Sequence, residues 1–131
     1  MNNKFRLPTK EEFERLAKCW SRFDDDKNGR CFFDEETKEK LFLPCIDDSK
    51  FKLGYYWSST RFDHKISYCF FFLNMKLDTN LCHSIKTSLN VRLVSDAPFG
   101  GSIHVAGLYW KPENEEWYYS YDEAMVKFEN K

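Results

Sequence analysis

The chain has 131 residues, of which 42% are hydrophobic and 31% charged, a balance that excludes global disorder and fits one compact domain spanning residues 1–131. Lys plus Arg number 20 against 21 for Asp plus Glu, so the formal net charge is -1. That neutrality argues against a nucleic-acid binder that works through a general basic field and leaves only a local patch open.

The first predicted element is a helix over Thr9 to Trp20. Thr9 with Glu12 forms a capping box, and Phe13, Leu16, Ala17 and Trp20 make one apolar stripe on a charged helix. Asp24 to Gly29 is a polar turn, followed by the short apolar bursts Cys31-Phe32-Phe33 and Leu41-Phe42-Leu43, the second stopped by Pro44. Strands are expected at Tyr55 to Ser59 and at Ile66 to Met75, where aromatic residues at successive positions call for cover on both sheet faces. Asp78-Thr79-Asn80 reads as a turn, and Leu89 to Val94 alternates like a strand with Asn90 and Arg92 on one side. After a joint at Pro98 and Gly100-Gly101, Ile103 to Trp110 reads as a strand, Pro112 to Glu116 as a turn and Trp117 to Tyr119 as a short strand. A second capping box, Ser120 with Glu123, opens a helix whose stripe is Tyr121, Ala124, Met125 and Phe128. The fold class is therefore α+β, with two helices packed on a twisted antiparallel sheet of short strands.

No apolar run reaches the roughly 20 residues that a membrane span needs. The opening Met1-Asn2-Asn3-Lys4-Phe5-Arg6 lacks the apolar core of a signal peptide, so the expected location is the cytoplasm. The five cysteines, Cys19, Cys31, Cys45, Cys69 and Cys82, are odd in number and include no Cys-x-x-Cys pair, and are read as reduced thiols.

Four segments, in order, resemble one known group. Arg6-Leu7-Pro8-Thr9-Lys10-Glu11-Glu12-Phe13, Leu41-Phe42-Leu43-Pro44, Gly54-Tyr55-Tyr56-Trp57-Ser58-Ser59-Thr60 and Asn90-Val91-Arg92-Leu93-Val94 are similar to the successive signatures of FISUMP-type bacterial domains. The resemblance covers residues 5–95 and implies the C-type-lectin-like fold, near the formylglycine-generating enzymes and the variable proteins of diversity-generating retroelements. Gly107-Leu108-Tyr109-Trp110 and Ser120-Tyr121-Asp122-Glu123-Ala124 resemble elements that in a related family precede the Arg-Leu-Pro-Thr segment. Here they follow the closing strand. Residues 102–131 are thus read either as circularly permuted elements or as a C-terminal extension.

The chemistry-bearing patterns are few. Asp24-x-Asp26-x-Asn28-Gly29 with Glu35 follows the spacing of a calcium loop. Its exiting side has no apolar stripe before Leu41, and Cys31 stands where an aliphatic is usual, so the segment is read as a turn and no metal or other cofactor is expected. The lectin-type calcium motifs are not matched, since Pro112-Glu113-Asn114 has the wrong order. The close cysteine pair of the formylglycine-generating enzymes is not matched either, since Cys82 stands alone. His64, His83 and His104 are scattered, and no catalytic residue is named.

Surface recognition remains. Arg61, Phe62, Asp63, His64 and Lys65 join two strands and mix charge with an aromatic. Asn80, His83 and Lys86 lie before the closing strand, where the resemblance places ligand-facing loops. These eight residues are the predicted binding positions, on a non-catalytic module for a protein partner, with no membrane role. A phage or mobile-element protein acting on a host factor is one setting for such a module. The alternatives are a small-ligand or carbohydrate-binding domain, or an enzyme using a His/Cys site.

Overall fold

The first helix begins where its capping box places it. In the computed structural model, which describes residues 5–45, 54–73, 76–113 and 118–129, α1 spans Lys10–Ala17. Thr9 Oγ1 accepts from Glu12 N and Glu12 Oε1 accepts from Thr9 N, so both orphan donors are satisfied. Glu12 is also gripped by the Arg6 guanidinium at 2.8 Å on each oxygen. Burial pulls the Glu12 carboxyl upward, but Arg6 and the Thr9 amide outweigh it and hold it below the ordinary range.

The helix stops short of the predicted end. Trp20 starts β1 (Trp20–Asp24), which pairs antiparallel with β2 (Gly29–Phe33), itself paired with β3 (Lys40–Pro44). Trp20 is thus not part of the helical stripe and is 61% exposed. The sequence Trp20-Ser21-Arg22-Phe23-Asp24 also alternates, and strand pairing overrides the helical spacing that four positions happen to share.

The central sheet comprises β4 (Tyr55–Arg61), β5 (Ile66–Leu73) and β6 (Lys76–Ser84), all antiparallel. Asp78-Thr79-Asn80 lies inside β6 and is not a turn. Asp78 Oδ1 still accepts from Asn80 N at 2.8 Å, and the register slips there by one residue, so the turn chemistry produces a bulge within a strand. Tyr56, Phe70 and Phe72 face a cluster with Phe13, Leu16, Phe32, Leu41 and Leu43; Trp57 and Cys69 face another with Leu7, Leu89, Val91, Tyr121, Ala124 and Phe128. Both faces of β5 are therefore covered, with Phe70 and Phe72 buried on one side and Cys69 on the other, while Phe71 lies half-buried against Tyr55. Each of these large buried side chains contributes about 1.5–3 kcal/mol.

The third sheet is β7 (Val94–Ser95), β9 (Leu108–Trp110) and β8 (Ile103–Val105) in that order. The predicted strand 103–110 is a hairpin, turned at Ala106 (φ 56) and Gly107 (φ 79), the two positive values that a tight two-residue hairpin turn demands. α2 spans Tyr121–Glu129 behind its capping box, with Ser120 N donating to Glu123 Oε1 at 3.0 Å and Glu123 N to Ser120 Oγ at 3.3 Å.

Two helices and several small antiparallel sheets make the fold α+β, but the expected single sheet is three three-stranded sheets. The reason lies in residues 89–93, which run buried between sheets and bridge rather than extend them: Leu89 pairs with Tyr119 and Asn90 with Tyr56. Arg92 is the knot. Its guanidinium, 2% exposed, donates to the carbonyls of Phe42, Lys111 and Pro112 and so ties β3 to the segment after β9. Burial pulls its pKa down to about 10.

A permuted arrangement predicts that the helix from Ser120 packs beside the helix from Thr9 and that the strand Gly107 to Trp110 lies beside Asn90 to Val94; the two helices do not pack side by side. α1 faces the first cluster and α2 the second. α2 instead meets the segment leading into α1, where Leu7 N donates to Glu129 Oε2 at 2.7 Å. Of the strand 90–94, Val94 pairs with Trp110. Met75 and residues 114–117 lie outside the described residues, and with them the end of the predicted strand 66–75, most of the turn 112–116 and the start of the strand 117–119.

Candidate functional site

The β4–β5 turn carries five of the eight predicted positions and is held by its own hydrogen bonds. Asp63 Oδ1 accepts from Lys65 N at 2.7 Å and Ile66 N at 3.0 Å, which keeps its carboxyl below the ordinary range. Arg61 Nε donates to Asp63 O and its Nη2 to His64 O at 2.9 Å. The same guanidinium lies 5.2 Å over the Tyr121 ring and 4.0 Å from Asp122, which fastens the tip to α2. Phe62 is 58% exposed, with its ring edge-on to Tyr68 at 5.7 Å.

Lys86 reaches this tip through the sheet. Ile66 pairs with Ser84, and Ile85 N donates to Lys65 O at 3.0 Å, which sets the 85–88 turn beside the hairpin tip. Ile85 O in turn accepts from Tyr121 N at 2.9 Å, so α2 supports both segments. His64, Lys65, Ser84, Ile85 and Lys86 line a hollow of about 390 Å³. The other two predicted positions are elsewhere. Residues 80–84 are strand rather than loop: Asn80 sits at the β6 bulge, and His83, paired with Ser67, turns its ring edge onto Tyr55 at 4.8 Å.

A second surface was not anticipated. In β1–β2–β3 the core-facing set is Phe23, Phe32, Leu41 and Leu43; the opposite face presents Trp20, Arg22, Phe33, Cys31, Phe42 and Lys40. Gly29 is required beneath it, because a Cβ there would collide with the Phe42 ring and the Leu43 carbonyl. Two hollows flank Trp20 and Phe33, one of about 530 Å³ over the sheet and one of about 740 Å³ toward Asp34 and Gly107. The signal available in the sequence was the alternation of residues 20–24, masked by the helical spacing of Trp20.

The remaining patterns are separated by the fold. Asp24 Oδ1 accepts from Asp26 N and Lys27 N within the β1–β2 turn, while Glu35 lies beyond the far end of β2, about 20 Å along the chain at strand rise. Among the described residues no group of three or more His, Cys, Asp or Glu is placed to hold a metal. Asp34 is a structural carboxylate: burial pulls it upward, but the amides of Ala106, Glu36 and Thr37 hold it below the ordinary range. His104 stacks on Tyr109 at 4.2 Å, and its backbone N–H donates to Glu39. None of the five cysteines is joined in a disulfide, and burial pushes the thiols of Cys19, Cys69 and Cys82 upward, Cys69 to about 12, the opposite of an activated nucleophile. Among the described residues no helix is long and apolar enough to cross a membrane. The chain matches no family model, no curated protein and no solved structure.

Proposed function

We propose that the chain is a non-catalytic, C-type-lectin-like binding module of the cytoplasm that recognises a protein partner through the 61–65 tip and the adjoining 85–88 turn. The observation that carries this reading is the juxtaposition of two segments distant in sequence. Together they offer an exposed aromatic, Phe62, and the cations Lys65 and Lys86, on a base fastened by Arg61 and α2. An aromatic anchor set in a rigid polar surround is the usual composition of an interface centre, and the cations favour an acidic partner.

The lectin-like part of the reading is supported by how the segments that carry the resemblance meet. Ser59 N donates to Pro8 O at 2.8 Å, Trp57 N to Asn90 O at 3.0 Å, and Arg6 pairs with Val94. The permuted arrangement draws support from the Val94–Trp110 pairing, while α2, which packs away from α1, speaks for an extension.

Affinity capture with the wild-type chain and a Phe62→Ser/Lys86→Glu variant tests the site. The variant should lose the captured partner and keep its melting temperature, because exposed tip residues contribute little stability. Arg61 is left intact because it holds the tip. Undiminished capture, or loss only where the variant unfolds, overturns the assignment.

A further inference from the structure

From the outer face of β1–β2–β3 we infer that the chain forms a two-fold symmetric homodimer, with Trp20 and Phe33 at the symmetry axis. Three observations converge. Trp20 is 61% exposed and lies directly opposite Phe33 on the neighbouring strand, so the pair forms one apolar centre. That pair lines both flanking hollows. The hollows carry opposite charge. The one over the sheet is lined by Arg22, Lys27 and Lys40 against Asp24 alone, whereas the one toward Gly107 is lined by Asp34, Glu35 and Glu36 against Arg15 and Lys18.

An isologous contact places every residue of a patch against the residue that the two-fold axis assigns to it. With the axis through the aromatic pair, the basic half of one copy lies on the acidic half of the other, twice over. The face is thus complementary to itself, with an aromatic centre and an ionic rim, which is the composition of a specific interface. No acidic peptide or nucleic acid would match both halves at once. The inference does not depend on the 61–65 tip, which belongs to the central sheet and stays free to bind a partner.

Sedimentation velocity across the micromolar range is the test. Wild type should pass from monomer to dimer with rising concentration, and Trp20→Ala should move the midpoint upward by about tenfold or more. Arg22→Glu/Lys40→Glu and Glu35→Lys/Glu36→Lys should each stay monomeric alone, since each makes both halves alike in sign. Mixed in equal amounts, the two variants should form a heterodimer, because the acidic copy then faces the basic one. All changes are at exposed or half-exposed positions, so melting temperatures should match wild type below the dimerisation range. A wild type monomeric throughout, a Trp20→Ala variant that associates as tightly as wild type, or a mixture that stays monomeric would each overturn the inference.

Discussion

Asp34 and Cys69 show how single side chains carry more than their packing. Asp34 accepts from Glu36 N and Thr37 N with one oxygen and from Ala106 N with the other, so one carboxylate joins the end of β2 to the β8–β9 turn. Asp34→Ala leaves three amides, from exposed Glu36 and half-buried Thr37 and Ala106, without their carboxylate partner and should cost about 1–3 kcal/mol in denaturant unfolding. Cys69 gives a pH effect of definite sign. Its folded pKa, pushed up to about 12, stands above the value near 8.5–9 of an unfolded thiol. The folded state therefore keeps a proton that the unfolded state releases, and stability is complete below the unfolded value and falls as pH rises through the window. The slope approaches about 1.4 kcal/mol per pH unit. Unfolding measured at steps from about pH 8.5 to 11 should show this decline, and Cys69→Ala should make it shallower, with the remainder carried by Cys19 and Cys82, whose thiols burial also holds up.

The elements stand on local signals reinforced by a few tight contacts. Ser120 and Glu123 exchange hydrogen bonds at the start of α2, and Tyr121 Oη donates to Ser59 O at 2.6 Å, so the cap also sets where the helix lands on β4. Ser120→Ala should lower stability by about 1 kcal/mol, read as a drop in melting temperature. Gly29 makes the opposite demand, for the absence of a side chain. Gly29→Ala drives a methyl into the Phe42 ring and the Leu43 carbonyl and should cost about 1–3 kcal/mol. It should also disturb the outer face of the sheet, giving weaker self-association than Ser120→Ala at equal protein concentration.

At the scale of the molecule, the central sheet is shared by two cores, and the segment before α1 and the helix α2 pack in the same one. Leu7, Tyr121, Ala124 and Phe128 belong to the same cluster, and Glu129 accepts from Leu7 N. The Gly100-Gly101 turn is exposed, with no described atom within 4 Å of either ideal Cβ. A permutant that joins Lys131 to Met1 and opens between Gly100 and Gly101 should therefore fold, with a single cooperative melt and a near-ultraviolet spectrum close to wild type. A permutant opened between Trp57 and Ser58 should not, because Trp57 is fully buried and its indole N–H donates to Tyr119 O.

The two capping boxes, the both-sided burial of β5 and the α+β class were legible in the residues themselves, because each depends on neighbours a few positions apart or on alternation along one strand. The tip at 61–65 was legible for the same reason: its turn is closed by Asp63 bonding its own backbone. What depends on partners distant in the chain was decided by the tertiary structure. Trp20 fits a helix by spacing and a strand by alternation, and only the presence of Phe33 across from it selects the strand. Asn80 and His83 read as loop until pairing with β5 claims the segment, and Arg92 reads as a strand residue until three carbonyls from two regions converge on it. The opposed charge of the two hollows beside Trp20 arises in the same way, from α1, β1, β2, β3 and the β8–β9 turn meeting at one place, an arrangement set by burial of the core and written in no single stretch of sequence.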